Sequence, residues 1–385
     1  MKILIIGGMG LIGGAITEAA VKENHEVTVL SRRVPFEKWK GLSVTFLQGN
    51  WKDDAFAEEA VADFFDVIVD TQIFDEKQII RSMGIINNHC KHFIYISTDS
   101  VYAHPNENLS EDKEIHLEDI HWDYGIKKRK AELYLLSHGD EYSFRWSVIR
   151  PTLTFGNTRI PVGFSSKRGA YNLVERIEEQ KPILRFDDSV SRHSLCHVST
   201  FGGASVRLFL NENAYGRFFH ISDDYSYTYD EIFEAIENVV GKKGKFVFCD
   251  TKLLEKYSPW VYDEMIYDKN PEFTLDNSNI KALCPEMSFH PNLQEIMRET
   301  ITYLRGRKEV SGDDPDYDKL TDLLLMKGNY LDSESRQLVS DYMDQLPESY
   351  KKEVVAYGRN ARKRIIVNEI KKRLSPIKHM ILKKL

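Results

Sequence analysis

The sequence is short of cysteine and lacks any long apolar run. Its four cysteines among 385 residues stand far apart, which excludes the density of a disulfide scaffold and the paired spacing of a zinc site. No uninterrupted stretch of about 20 apolar residues occurs, so no transmembrane helix is predicted and a cytoplasmic location is expected. HExxH and GxSxG motifs are also absent, so the sequence predicts neither a metal site nor a serine nucleophile.

The chain as a whole has little excess charge. It carries 52 Lys and Arg against 59 Asp and Glu, a net charge of −7, so nothing in the overall balance attracts nucleic acid. At 385 residues it exceeds the size at which one core keeps growing, and a large domain with a smaller one is expected.

The first fifty residues carry the strongest signal. The apolar run KILII leads into a glycine-rich loop, a helix-like segment and a second apolar run, EVTVL. Glycines at these places allow a tight turn, close approach of a pyrophosphate and packing of the helix on the strand. The pattern predicts a dinucleotide site formed by the loop and the first helical turn, with contacts from Gly7, Gly10, Leu11, Ile12 and Gly13.

The ends of the next two predicted strands bear on the choice of cofactor. The second strand ends at Ser31, Arg32 and Arg33, where an NAD site usually has an acidic residue for the ribose 2′-hydroxyl. Two guanidinium groups suit a 2′-phosphate, which favours NADP over NAD, although a solvated basic turn has the same composition. The third strand runs towards Asn50 and Trp51, which are expected near the adenine unless Trp51 only covers the sheet edge.

Alternating strand-like and helix-like segments predict a doubly wound parallel sheet. The fifth strand-like run, HFIYI, passes directly into Ser-Thr-Asp-Ser. Ligands bind at the carboxyl ends of parallel strands, so Thr98, Asp99 and Ser100 are expected at the substrate-facing edge, although a plain Ser/Thr turn would explain them too. Further on, Tyr124 and Lys128 are four residues apart, which on a helix places them on one face.

Four segments, GGMGLIG, ISTDSVY, YGIKK and SVIRPTLTFG, resemble those of an extended short-chain dehydrogenase/reductase of the NAD-dependent epimerase/dehydratase family. The resemblance covers roughly residues 1–305 and implies a Rossmann-type fold. It also implies that Tyr124 is the general acid/base, that Lys128 holds the nicotinamide ribose and lowers the tyrosine pKa, and that Thr98 hydrogen-bonds the reacting oxygen. Asp99 is an additional acid candidate. A tyrosine pKa near 10 makes the phenol a poor base at neutral pH, and a close ammonium favours the phenolate.

The resemblance also narrows the substrate. Arg192 resembles a family arginine that pairs with the diphosphate of a nucleotide sugar, and Ser100 is a second substrate-binding candidate. Leu153 stands where nucleotide-sugar members often carry Asn, which counts against that substrate. In a 4,6-dehydratase of this kind, Ser100 would be a Glu, and a hydroxyl of high pKa cannot replace that base, so dehydration is disfavoured.

We therefore predict an NAD(P)-dependent nucleotide-sugar, or related sugar, epimerase or reductase. The alternative is a catalytically silent nucleotide-binding module that binds a partner or RNA. Such a module would have no need to keep Thr98, Tyr124 and Lys128 together, so the intact set favours the enzyme.

The expected organisation is a Rossmann domain over 1–150, a smaller substrate lobe over 151–305 and an extra helical, basic tail over 315–385, with segments up to about 240 interleaving with the first domain. The last 35 residues contain twelve Lys and Arg against two Glu. This segment is expected to dock within the protein or its oligomer, with a partner or an anionic membrane as alternatives. A homodimer is expected and a nucleic-acid partner is not.

Overall fold

The structure is a computed structural model that describes residues 1–33, 43–156, 158–166, 171–306, 314–328, 330 and 332–382, with side chains up to residue 367. In chain order the strands are β1 (Lys2–Ile6), β2 (Glu26–Ser31), β3 (Val44–Gln48), β4 (Phe65–Asp70), β5 (Cys90–Ile96), β6 (Asn106–Leu109), β7 (Arg145–Pro151), β8 (Leu153–Phe155), β9 (Pro182–Arg185), β10 (His193–His197), β11 (Arg217–Ile221), β12 (Ser226–Tyr227), β13 (Lys245–Phe248) and β14 (Phe273–Leu275).

The helices in the described ranges are α1 (Leu11–Lys22), α2 (Asp54–Ala60), α3 (Glu76–Ile86), α4 (Asp123–His138), α5 (Tyr171–Glu178), α6 (Val198–Arg207), α7 (Tyr229–Val240), α8 (Lys252–Glu255), α9 (Pro259–Glu264), α10 (Ser278–Leu283), α11 (Leu293–Gly306), α12 (Pro315–Lys327), α13 (Ser333–Gln345) and α14 (Glu348–Leu382). A 3₁₀ turn, Asp99–Val101, follows β5.

The chain forms two compact units. Unit 1 comprises residues 1–161, 191–228 and 271–296, and unit 2 comprises residues 162–190, 229–270 and 297–385.

Unit 1 is built on a seven-stranded parallel sheet with the order β11-β7-β5-β4-β1-β2-β3. Successive residues of a strand point to opposite faces, and both faces of β1 are covered. Ile3 and Ile5 pack into one apolar core with α1 and α6, whereas Leu4 and Ile6 pack into another with α3 and α4. The predicted doubly wound sheet is confirmed, and β1 lies at the point where the strand order reverses, which is where ligands bind in such sheets.

Unit 1 also contains a smaller sheet with the order β12-β10-β14-β6, in which β8 pairs with β10. Its centre is β10, which pairs in parallel with β14 and antiparallel with β12. Arg192 immediately precedes β10, so this sheet sets the position of its side chain.

The described part of residues 315–385 belongs to unit 2, and its first two helices contribute side chains to the apolar core of that unit. Leu184 of β9 and Val247 of β13 belong to one apolar cluster with Leu320, Leu324 and Val339 of the C-terminal helices. An apolar face of α12 and α13 is therefore buried against the strand pair of this unit.

A buried ionic cluster ties α5 to α12 inside unit 2. The Arg176 guanidinium, 1% exposed, lies 2.8 Å from Asp322 and 3.1 Å from Asp318. Burial disfavours the charged guanidinium, but the two carboxylates hold the pKa of Arg176 above its ordinary value. The tyrosine hydroxyls of α13 and α14 complete the cluster by donating to Asp322 from Tyr342 and Tyr350.

Candidate active site

The glycine loop between β1 and α1 leaves no room for side chains at two of its positions. Gly7 has φ +83°, a conformation that favours glycine. A Cβ on Gly13 would lie 2.5 Å from the Gly7 carbonyl oxygen, so any side chain would push α1 off the loop. Gly10 caps α1 without a side chain, and the first turn of α1 contains no acidic residue. The loop therefore presents a helix N-terminus with no carboxylate of its own, which suits a pyrophosphate.

The side chains that follow β4 lie against this loop. A Cβ added to Gly7 would collide with Thr71 Oγ1 and Gln72 Nε2. The Thr71 hydroxyl donates to the Ile6 carbonyl oxygen at 2.9 Å, and the side-chain amide of Gln72 donates through Nε2 to Thr71 Oγ1 at 3.1 Å. The sequence alone did not place Thr71 and Gln72 at this loop. Only the parallel pairing of β1 with β4 brings them there.

The other cofactor candidates lie at the same edge of the sheet. The Gly49 amide donates to the Ser31 carbonyl oxygen at 3.0 Å, which joins the ends of β2 and β3. Arg32 and Arg33 are exposed beside them. Asn50 accepts from the Lys52 amide at 3.3 Å. These residues surround the position predicted for the adenosine half of the cofactor.

Trp51 is more buried than a residue that only covers an edge. It is 6% exposed, packs in the core that contains Leu4 and Leu30, and its indole hydrogen-bonds Asp70. Burial raises the pKa of Asp70 despite this bond and a hydrogen bond from Ser82 at 2.6 Å. Trp51 thus contributes to the core, and its contact with a cofactor stays a prediction.

The polar segment after β5 folds into a tight turn at the carboxyl edge of the sheet. The Thr98 hydroxyl accepts from the Ser100 amide at 3.2 Å and lies 3.1 Å from the Ser100 hydroxyl and 3.2 Å from Asp99 Oδ1. All three residues are less than 10% exposed. The segment is therefore a buried, hydrogen-bonded turn at the sheet edge, and its role in facing a substrate stays a prediction.

Helix α4 begins against this turn. A Cβ on Gly125 would collide with the Ser100 carbonyl oxygen, so only glycine lets the first turn of α4 come this close. Tyr124 is half-buried, and its ring contacts that of Trp122 with centroids 5.0 Å apart and ring planes tilted by 56°. Gly125 is a site residue that sequence reasoning missed, although it lies inside the YGIKK motif. The contact brings the phenol-bearing residue next to the Thr98–Ser100 turn.

Lys128 lies one helical turn further along α4 and is 2% exposed. Its ammonium donates to the carbonyl oxygens of Ile73 and Ile96, each at 2.7 Å. These carbonyls follow β4 and end β5, so the ammonium is fixed at the carboxyl edge of the sheet. Burial lowers the pKa of Lys128 to about 7, against the opposing effects of Glu132 and Asp70. Tyr124 and Lys128 thus lie in the first turns of α4, which begins against the Thr98–Ser100 turn that follows β5.

Arg192 occupies a different part of unit 1. Its guanidinium donates through Nε to the Ser226 hydroxyl at 3.1 Å and through Nη2 to the Ser226 carbonyl oxygen. The side chain is half-buried. Its role as a diphosphate ligand stays a prediction.

A sequence model of the NAD dependent epimerase/dehydratase family matches residues 3–221. This is more than half of the chain, and the chain therefore belongs to this family. The resemblance inferred from its motifs is confirmed.

The chain is 26% identical over 264 residues to the chloroplast stem-loop binding protein of 41 kDa b of Arabidopsis thaliana, covering 62% of this chain and 63% of that protein. The chain thus spans less than two thirds of the length of that relative.

Solved structures share the fold. UDP-glucuronic acid 4-epimerase from Bacillus cereus, in complex with UDP-glucuronic acid and NAD, superposes with a TM-score of 0.64 at 16% identity, covering 80% of this chain and 99% of that one. UDP-glucose 4-epimerase from Thermus thermophilus with NAD gives 0.61 at 17% identity, covering 80% and 99%. At these identities the likeness shows the fold alone.

Within the described ranges no helix is long and apolar enough to cross a membrane. Among the same residues, no group of three or more His, Cys, Asp or Glu side chains is arranged to hold a metal ion.

Proposed function

We propose that the chain is an NAD(P)-dependent epimerase or reductase of a nucleotide-linked or related sugar, with Tyr124 as the general acid/base. One observation carries the proposal: the close contact of Gly125 with the Ser100 carbonyl puts Tyr124 beside the Thr98–Ser100 turn, while Lys128 of the same helix is buried under that edge. A polar turn at the carboxyl edge of a Rossmann-type sheet, with a tyrosine and a buried lysine on the helix packed against it, supplies the groups that carbonyl–alcohol chemistry requires.

The residues of the loop and the strand ends fit a dinucleotide. Gly7 and Gly13 let the loop turn tightly and let α1 pack directly against it. The N–H groups at the N-terminus of α1, which Gly10 caps without a side chain, would hold the phosphates. When bound, the nicotinamide supplies the acceptor and donor of hydride. NADP is favoured because Arg32 and Arg33 are exposed at the end of β2, where guanidinium groups can pair with a 2′-phosphate.

The side chains of this chain handle the proton. Tyr124 Oη would take the proton from a sugar hydroxyl as the carbonyl forms and return it when the alcohol forms again. The Thr98 hydroxyl would hydrogen-bond the same sugar oxygen. The Lys128 ammonium, held by two carbonyls, stabilises a phenolate on Tyr124 when charged, and Asp99 is a further acid at the turn.

Dehydration is disfavoured in this proposal. Ser100 stands where a dehydratase of this kind would have Glu, and its side chain is 5% exposed and 3.1 Å from the Thr98 hydroxyl. A serine hydroxyl in this position can orient a substrate but cannot remove a carbon-bound proton.

The substrate class is the nucleotide sugar. Arg192, with its planar fork, would pair with the diphosphate, and its bonds to Ser226 would set the direction of the guanidinium. A homodimer and docking of the basic tail on the protein or its oligomer belong to the same proposal, with an anionic membrane surface as the alternative for the tail.

A second candidate is a partner- or RNA-binding module that has lost turnover. The observation that favours it is the relative named as a stem-loop binding protein, together with the exposed basic side chains of α14, which include Arg359, Arg362 and Lys363. The presence of Tyr124 and Lys128 on one face of α4, beside the Thr98–Ser100 turn, favours the enzyme.

The test is turnover of a panel of nucleotide sugars and keto-sugars in heavy water, followed by mass spectrometry and NMR. An epimerase should give a stereoisomer without carbon-bound deuterium, and a reductase should consume one NADPH per product. Tyr124→Phe should bind cofactor yet lose turnover on the order of a hundredfold or more, whereas Tyr134→Phe on the same helix should not.

Deuterium at a sugar carbon with loss of water would show dehydration and contradict the reading of Ser100. Absence of any reaction, with Tyr124→Phe indistinguishable from the unmodified protein in every assay, would favour the binding module.

A further inference from the structure

A buried ion pair lies directly behind the Thr98–Ser100 turn. Arg150 of β7 donates to Glu132 of α4 through two parallel bonds, Nε to Oε1 at 2.9 Å and Nη2 to Oε2 at 2.8 Å. Glu132 is 0% exposed and Arg150 is 2% exposed. Burial alone would raise the pKa of Glu132, but the Arg150 guanidinium holds it below its ordinary value. The pair is therefore charged and has a fixed, planar geometry.

The same ion pair is bonded to both ends of the turn. At the entry, the Ser97 hydroxyl donates to Glu132 Oε1 at 2.6 Å. At the exit, Arg150 Nη1 donates to the Tyr102 hydroxyl. Residues 98–101 are thus held between two attachment points that share one pair of charged groups.

Tyr102, at the end of the turn, is held further by a chain of hydrogen bonds in which each donor and acceptor is determined. The Asp276 carbonyl oxygen can only accept, so His220 donates to it from Nδ1 at 3.1 Å. Burial lowers the pKa of His220 to about 3, so the ring is neutral and its Nε2 accepts from the Tyr102 hydroxyl at 2.7 Å. Tyr102 accepts from Arg150 and donates to His220, and its hydroxyl has no second orientation that satisfies both bonds.

The ion pair also connects the turn to the helix that carries the candidate acid/base. Glu132 lies four residues beyond Lys128 and eight beyond Tyr124, on the same face of α4. A buried ion pair adds little net stability compared with apolar side chains of the same volume. Stability alone therefore does not account for it, whereas geometry does.

We propose that the Glu132–Arg150 ion pair positions the Thr98–Ser100 turn against Tyr124 and Lys128 by holding its two ends through Ser97 and Tyr102. The four residues are positioning residues: their proposed role is exerted through the turn whose ends they hold. The inference rests on the proposed function in that the turn is taken to face the substrate.

The test uses Ser97→Ala and Tyr102→Phe in the full chain, because each removes one attachment and leaves the ion pair in place. Glu132→Gln is avoided, because the buried guanidinium of Arg150 and the half-buried one of Arg129 would lose their counter-charge and the unit could unfold. Two matched controls remove similar hydroxyls elsewhere. Ser147→Ala removes a buried bond to Ala214 of 2.6 Å, and Tyr171→Phe removes a bond to Glu178 of 3.0 Å.

The first readout is hydrogen exchange of the peptide covering residues 97–103. The Ser100 amide is protected by Thr98 and the Tyr102 amide by the Asp99 carbonyl. Loss of one attachment should make these amides exchange about tenfold faster while the rest of unit 1 is unchanged. Exchange at the unmodified rate in both variants, or faster exchange spread over all of unit 1, would overturn the proposal.

The second readout separates positioning from a purely structural role. With a sugar that the unmodified protein converts, kcat should fall about ten- to a hundredfold in both variants, with cofactor Kd unchanged and both controls unaffected. An unchanged kcat would overturn the proposal. If the unmodified protein binds no cofactor and converts no sugar, the proposed function fails, and the exchange comparison still decides whether the ion pair holds the turn.

Discussion

Replacing Lys128 by methionine should change how stability depends on pH, in a direction that the structure defines. Burial lowers the pKa of Lys128 from 10.5 to about 7. Below that native value the lysine is protonated in both the folded and the unfolded chain, so it adds no slope. Between the native and unfolded pKa values the unfolded chain binds one more proton, so the stability of the unmodified protein rises with pH and the penalty of burying the charge is relieved.

The size of the effect follows from the same two pKa values. From about pH 7 to about pH 9 the unmodified protein should gain about 2 kcal/mol relative to Lys128→Met, with no relative change below about pH 6. Urea unfolding followed by tryptophan fluorescence reports mainly on unit 1, because Trp51, Trp122 and Trp146 are buried in it. Trp260 of unit 2 is already 53% exposed in the folded chain, so its signal should change less. Lys127→Met, which removes the neighbouring exposed ammonium, is the control. Parallel pH curves for the unmodified protein and Lys128→Met would contradict a dry site for this ammonium.

Three further outcomes are expected. Calorimetry should show tighter binding of NADP(H) than NAD(H), with the preference lost in Arg32→Ala/Arg33→Ala; equal affinities in the unmodified protein would refute the assignment. Asp322→Asn should destabilise unit 2 by about 3 kcal/mol in urea unfolding because Arg176 loses a buried counter-charge, and an unchanged midpoint would argue against that pairing. Truncation after residue 367 should leave cofactor binding intact but weaken salt-sensitive self-association or binding to anionic vesicles, and unchanged sedimentation and vesicle partition would exclude docking outside the protomer.

The truncation is placed after residue 367 for a structural reason. Val354 and Ala361 of α14 are buried, and a Cβ on Gly358 would lie 2.8 Å from a methyl carbon of Leu323. Removal of the whole basic segment from residue 351 would strip this face from α12 and confuse folding with docking.

The parts of the fold that the sequence predicted are those encoded by residue type over a short range. The apolar runs KILII and HFIYI lie in β1 and β5, because a strand covered on both faces needs unbroken apolar residues. Gly7 has a positive φ, and Gly13 makes a backbone contact that only glycine allows. The helix that places Tyr124 and Lys128 on one face is α4.

The parts that the sequence did not predict depend on long-range pairing. Glu132 and Arg150 read as ordinary charged residues of a helix and a strand, and only the packing of α4 beside β5 and β7 makes them a buried pair. Arg176 and Asp322 are separated by 146 residues, so no local pattern reveals that the C-terminal helices complete the core of unit 2. For Trp51 the difficulty is different. The sequence around an aromatic residue near the end of a strand is the same whether its ring binds a ligand or packs in the core.

The central claim is that Tyr124 moves the proton while hydride is exchanged with a bound nicotinamide. The most direct measurement mixes the cofactor-loaded protein with a sugar that it converts and follows the absorbance of the reduced nicotinamide during a single turnover. The absorbance of the reduced nicotinamide should change within the turnover time in the unmodified protein and in Tyr134→Phe. In Tyr124→Phe the change should slow on the order of a hundredfold, with cofactor still bound. Conversion of the sugar without any change in that absorbance, or at an unchanged rate in Tyr124→Phe, would contradict it.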